Sequence, residues 1–154
     1  MPCDIPEELA DSECLARALL KGQHIKKDLS SLRWQAFRPK AGDDELSVMR
    51  ASHLSSTECK QRAKEIGTGE NYVGFACLLA SEVKETGSTP ADSRWVYCGH
   101  AHIAHGFVIP AGDPPPAHVL ERLEARCSAL KELARVRLDP DPKANTWEVE
   151  PLDD

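Results

Sequence analysis

The strongest constraint on the fold is a stripe of apolar side chains near the C-terminus. Val119, Leu120, Leu123, Cys127, Leu130 and Leu133 recur at three- and four-residue spacings, the period that gathers them on one side of an α-helix. The spacing predicts an amphipathic helix over 117–134. After it, Val136–Leu138 and Trp147–Val149 read as edge strands or as an ordered acidic tail around a DPDP turn.

Upstream, Pro6 to Lys21 reads as a helix. Pro6 suits a first turn, Glu7 and Glu8 complement the helix dipole, and Leu9, Ala16, Leu19 and Leu20 form an apolar face. Gly22 stops it, and His24 to Ser31 is a polar connector. Leu32 to Phe37 alternates large apolar and polar residues and predicts a strand ended by Pro39. Leu46 to Arg50 predicts a second strand, paired with the first as a hairpin across the Asp43-Asp44 turn. Ser55 and Glu58 form a capping box that opens a helix ending near Ile66 and Gly67. Tyr72 to Val83 is the most apolar run and predicts a central strand. Thr86 to Ser93 reads as a flexible loop, Arg94 to Ile109 as strand, and Pro110 to Pro116 as a stiff connection. The order of elements predicts one α+β domain over 1–139, with a mostly antiparallel sheet and about three helices, followed by a tail over 140–154.

Composition narrows the partners. The 154 residues carry a formal charge of -6, from 25 acidic and 19 basic side chains. There is no continuous basic stripe, so nucleic-acid binding is disfavoured unless folding gathers the scattered cations on one face. No apolar run is long enough to span a membrane, and the acidic start Met1-Pro2-Cys3-Asp4 lacks the pattern of a signal peptide. A cytoplasmic location is expected. The six cysteines are spread through predicted elements, so free and mostly buried thiols are expected rather than three disulfides.

Gln23-His24, Gln35-Ala36-Phe37-Arg38-Pro39, Asp43-Asp44, Leu46-Ser47-Val48 and His100-Ala101-His102-Ile103 together resemble the short motifs of a family of small uncharacterised bacterial proteins. Members of that family continue the last strand with Asp, where this chain has Ala104. The resemblance implies a bacterial origin and a small accessory role, and it points to no established reaction or cofactor. It selects Gln35, Ser47 and His100 as candidate site residues. The structural alternative is that these three hold the hairpin and sheet together by buried hydrogen bonds.

A second candidate is metal-ligating. On a strand, Cys98, His100 and His102 would share a face, with His105 near its end. Thiolate and imidazole are preferred zinc ligands. His100 and His102 followed by Asp113 resemble the zinc ligands of JAMM metalloproteases, in which an upstream Glu activates the metal-bound water. The positions that those enzymes fill with Pro and Ser are Ile103 and Pro110 here, and only Glu70 and Glu82 stand near the place of the Glu. His-x-His-x-x-His is also similar to metallo-β-lactamase-like hydrolases, but Ala104 replaces their Asp. The leading expectation is therefore a cytosolic accessory protein of a small operon-encoded system that binds another protein. The alternative is a zinc-dependent hydrolase.

Overall fold

The computed structural model describes residues 2–40, 42–66, 69–108 and 115–154. Six antiparallel strands form one sheet in the order β4-β5-β2-β1-β3-β6, flanked by helices: the expected α+β class. In chain order these are β1 (Cys14–Leu20), a 3-10 turn (Trp34–Phe37), β2 (Glu45–Arg50), α1 (Ser56–Lys64), β3 (Tyr72–Leu79), α2 (Ala80–Glu85), β4 (Thr89–Asp92), β5 (His100–Ala104), α3 (Ala117–Leu133) and β6 (Arg135–Leu138). Among the described residues, no helix is long and apolar enough to cross a membrane.

Several expected elements are corrected. The segment read as a helix over Pro6–Lys21 is not helical: it runs through bends and a turn, and from Cys14 it is β1. Cys-Leu-Ala-Arg-Ala-Leu-Leu is buried on both faces between β2 and β3, and a strand buried on both sides has a continuous apolar run rather than a stripe. Alanine and leucine favour helices locally, but packing on both faces overrides that preference. Leu32–Phe37 is not a strand. Its end winds into the 3-10 turn, which buries Ala36 and Phe37 against the core, so the expected hairpin with β2 does not form. Instead β2 pairs with β1 and β5. The loop expected over Thr86–Ser93 contains edge strand β4, where Pro90 is tolerated because an edge leaves one side of the ladder open. Arg94–Gly99 forms turns, and strand begins only at His100. The apolar run from Tyr72 divides into β3 and the short helix α2.

Ser55 caps α1 as expected: its Oγ accepts from the Glu58 amide at 3.1 Å, and its hydroxyl donates to the Glu58 carboxylate at 3.2 Å in place of the reciprocal backbone bond. Helix α3 buries Leu123, Cys127 and Leu130. These side chains meet Leu15, Leu19, Leu46, Val48, Leu78 and Ile103 from one face of the sheet. The opposite face presents Ala16, Ala18, Phe75 and Cys77 to α1 and to Trp147 and Leu152 of the C-terminal segment. Trp147–Val149 is ordered coil rather than strand. Phe75 lies edge-on to both Tyr72 and Trp147, at centroid distances of 5.7 and 5.8 Å. Each such pair contributes about 1 kcal/mol beyond area burial. At Gly74 (φ 150°) a β-carbon would strike the Arg137 carbonyl of β6, so only glycine allows β6 this approach.

Not all the cysteines are free. Cys3 and Cys98 form a disulfide with their Cα atoms 5.5 Å apart, because the N-terminal segment lies beside the turn before β5. That proximity cannot be read from cysteines 95 residues apart in the chain. Cys14, Cys59, Cys77 and Cys127 are free and buried, as expected.

The sheet has one weak seam. β1 pairs with β3 along its whole length, and β2 pairs with β5 from Glu45 to Met49. Yet β1 and β2 share only the pairs Leu15–Arg50 and Ala16–Met49. Beyond those pairs the two central strands separate.

Candidate functional site

A cleft of about 860 Å³ opens where the strands part, lined by Arg17, Ala18 and Leu20 from β1 and by Ser47, Val48 and Met49 from β2. Residues from both sides of the sheet reach it. Arg33, Gln35, Arg38 and Lys40 come from the chain around the 3-10 turn, Arg62, Glu65 and Ile66 from the end of α1, and Val96, Tyr97 and His100 from the approach to β5. A smaller pocket of about 220 Å³ adjoins it, sharing Arg17, Arg38, Lys40, Ser47 and His100 and adding His102, Trp95 and the carboxylates Asp43 and Glu45.

Arg17 spans the seam. Its Nε donates to the Ala36 carbonyl at 2.9 Å and its Nη1 to the Ser47 carbonyl at 2.9 Å. The second bond serves a carbonyl that the parted strands leave without a ladder partner. Arg17 makes no ion pair among the described residues, and burial draws its pKa down to about 10. The two fully buried cations are treated differently. Arg50 is held by Glu13 at 2.6 Å and Asp92 at 2.7 Å, and Lys60 by Asp139 at 2.9 Å. A desolvated charge costs several kcal/mol unless an opposite charge faces it. Arg50 and Lys60 have that charge, and Arg17 lacks it.

The rest of the lining reinforces the imbalance. Arg17, Arg33, Arg38, Lys40 and Arg62 face the main cleft with Glu65 as its one carboxylate among the described residues. Glu65 reaches Arg62 at 3.9 Å, while that guanidinium also lies 4.0 Å over the Tyr97 ring. Arg33 donates to the Gly22 carbonyl. Leu20, Val48, Met49, Ile66, Val96 and Tyr97 supply apolar wall.

Two histidines of the main cleft, His24 and His100, are held towards the neutral form. His24 Nδ1 accepts from the Leu20 amide at 3.0 Å. Burial, then the positive charge of Arg17, lowers its pKa to about 4. His100 is buried, with Nδ1 bonded to Ser93 Oγ at 2.5 Å and its ring edge-on to Tyr97. Burial and the neighbouring His102 lower its pKa. Its Nε2 has no hydrogen-bond partner among the described residues. His102 pairs with Glu45 at 2.9 Å.

The residues selected from sequence are thus partly gathered. Gln35, Ser47 and His100 line one cleft, and the Oε1 atom of Gln35 is buried without a hydrogen-bond partner. The Cys/His cluster is dispersed. The Cys98 sulfur is committed to Cys3, which removes it as a thiolate ligand. His105 lies elsewhere, with Nδ1 on Ser88 Oγ at 2.7 Å and Nε2 on the Phe37 carbonyl at 2.9 Å. It fastens β5 to the 3-10 turn. Asp113 lies outside the described residues. Among the described residues, the one group of three convergent ligand-type side chains is Asp43, Asp44 and Glu45, which includes no histidine. Arg17, Arg62 and Ser93 were not selected from sequence. The available signal was the single arginine inside an otherwise apolar segment, Cys14–Leu20.

No family model, curated protein or solved structure matches this chain.

Proposed function

We propose that this protein binds a small anionic molecule in the cleft between β1 and β2, and that it does so as a binding module rather than through a metal. The observation that carries this reading is Arg17, a partly buried guanidinium in the cleft with no carboxylate partner among the described residues, whereas the two fully buried cations, Arg50 and Lys60, are both paired. An anion entering the cleft supplies the missing countercharge in a low-dielectric setting, where charge-assisted hydrogen bonds are strongest. Five cationic side chains around one carboxylate run against the overall charge of -6. Such a focus raises the local concentration of anions. The cleft volume lies within the range of small-molecule sites.

An accessory role through a protein partner is compatible with this reading. Trp95 and Val96, exposed at 75% and 56% beside the cleft, offer an aromatic anchor of the kind found at binding surfaces. The zinc-hydrolase alternative rests on His100 Nε2 and His102, and it requires Asp113.

A thermal-shift panel tests the proposal, with phosphate, sulfate, acetate and chloride compared at constant ionic strength. Oxyanions should raise the melting temperature in a saturable way, reaching about 2.7 kcal/mol at a hundredfold excess over Kd. Arg17→Met should abolish the effect. Arg38→Glu, at an exposed position that leaves the fold intact, should weaken it. Equal shifts for all four salts, or shifts unchanged in both variants, would refute it.

A further inference from the structure

The turn between β4 and β5 is held at many points, yet it displays the most exposed large apolar side chain of those described. Asp92 Oδ1 accepts from the Arg94 amide at 3.0 Å and from Arg94 Nε at 2.8 Å. Arg94 Nη2 donates to the Ile5 carbonyl at 2.7 Å. The Val96 amide bonds the Ser93 carbonyl, and the His100 amide bonds the Tyr97 carbonyl, both at 3.0 Å. Cys98 is fastened to Cys3. On this fixed frame Trp95 is 75% exposed, its ring centroid 6.0 Å from that of His102. A mobile loop would present an aromatic ring at random. This one fixes the backbone from which the ring projects, beside the pocket that also contains Arg17, Arg38, Lys40, Asp43 and Glu45.

Aromatic surface and cations side by side select a ligand with two parts. The cations require an oxyanion. The ring offers a stacking platform for a flat π-system, which binds aromatic side chains whatever its hydrogen-bonding edge. The main cleft, about 860 Å³, is too large for an inorganic ion and lies within the range for a molecule of drug size. The excess of cations over carboxylates in the main cleft suits a dianion there better than a monoanion, whereas the adjoining pocket beside Trp95 also carries Asp43 and Glu45.

We propose that the cleft and its adjoining pocket together take a phosphorylated planar heterocycle of the size of a nucleoside monophosphate, with its phosphate at Arg17 and Arg38, which both share, and its ring in the adjoining pocket against Trp95. This deepens the anion-binding reading and rests on it. A free ligand rather than a nucleic-acid strand is favoured because the cations line one cleft instead of a continuous groove, in a chain of charge -6.

Calorimetric titration with adenosine 5′-monophosphate, adenosine, inorganic phosphate, octanoate and a hexa-adenylate strand tests it. Trp95 is exposed, so Trp95→Ala and Trp95→Phe should fold normally. The monophosphate should bind about tenfold more tightly than inorganic phosphate, the scale of one stacked base, and adenosine should bind more weakly still. Trp95→Ala should bring the monophosphate down to the level of inorganic phosphate, and Trp95→Phe should restore most of the difference. If phosphate binds but the monophosphate gains nothing, or Trp95→Ala changes nothing, the stacking proposal fails and the anion reading stands. Tighter binding of octanoate than of the monophosphate likewise overturns stacking and leaves the anion reading in place. Tighter binding of the strand than of the monophosphate overturns the free-ligand assignment. If none of the anions binds, both proposals fail.

Discussion

Replacing His24 with asparagine should remove a large part of the protein's sensitivity to acid. His24 is buried, and its Nδ1 must be unprotonated to accept the Leu20 amide hydrogen. Burial and the nearby Arg17 charge lower its pKa from 6.5 to about 4. The folded state therefore binds fewer protons than the unfolded state between those two values. For a base with a depressed pKa, stability is complete above pH 6.5 and is lost as the pH falls towards 4. A difference of about 2.5 units at 1.36 kcal/mol per unit gives about 3.4 kcal/mol in total, of which about 2.5 is lost by pH 4.5. His100 and His105, whose pKa values are also lowered by burial, add to the loss in the same direction. An asparagine carbonyl can take over the Leu20 amide and does not titrate. Urea denaturation at pH 7.5 and 4.5 should show that His24→Asn loses about 2 to 3 kcal/mol less than the wild type across that interval. Equal losses in the two proteins would refute the assignment of His24 as a buried neutral acceptor.

The same structure yields further expectations. Lys60→Ala should cost about 3 to 5 kcal/mol in chemical denaturation, because it strands the Asp139 carboxylate beside Tyr72 and frees the Asp141 and Thr146 carbonyls. Cys98→Ser should cost about 2 to 4 kcal/mol, typical of opening a long disulfide loop. A reductant should lower the melting temperature of the wild type by a similar amount and leave that of the variant unchanged. Gly74→Ala should cost more than about 1 kcal/mol, because its β-carbon meets the backbone of β6. Amide exchange should localise the loss to β3 and β6.

What the sequence discloses depends on how local each cause is. Helix α3 is legible because an amphipathic stripe carries its own period, and α1 because Ser55 and Glu58 act within one turn. β3 shows as an apolar run, and β6 as the alternation of Arg135, Val136, Arg137 and Leu138. β1 is hidden because its alanines and leucines favour helix, while two-sided burial, a property of the assembled sheet, decides the outcome. β4 is hidden because Thr-Pro-Ala-Asp has turn composition and is extended only through pairing with β5. Gln35, Ser47 and His100 could be selected by motif, but their common cleft depends on β1 and β2 parting after Ala16 and Met49. No residue type encodes that event. Arg17 stood in plain view, yet its meaning required knowing that no carboxylate faces it.

The most direct test of the cleft is the side-chain Nε–H resonance of Arg17, followed by nuclear magnetic resonance during titration with inorganic phosphate at constant ionic strength. The Nε–H is already bonded to the Ala36 carbonyl, so it should be protected from exchange and resolved before ligand is added. A cleft built for anions should give a saturable shift of the Arg17 resonance, with those of Arg33 and Arg38 moving at the same midpoint and Arg94 and Arg137 unaffected. A shift that grows linearly across all arginines, or none at Arg17, would show that the buried guanidinium serves only to join the parted strands.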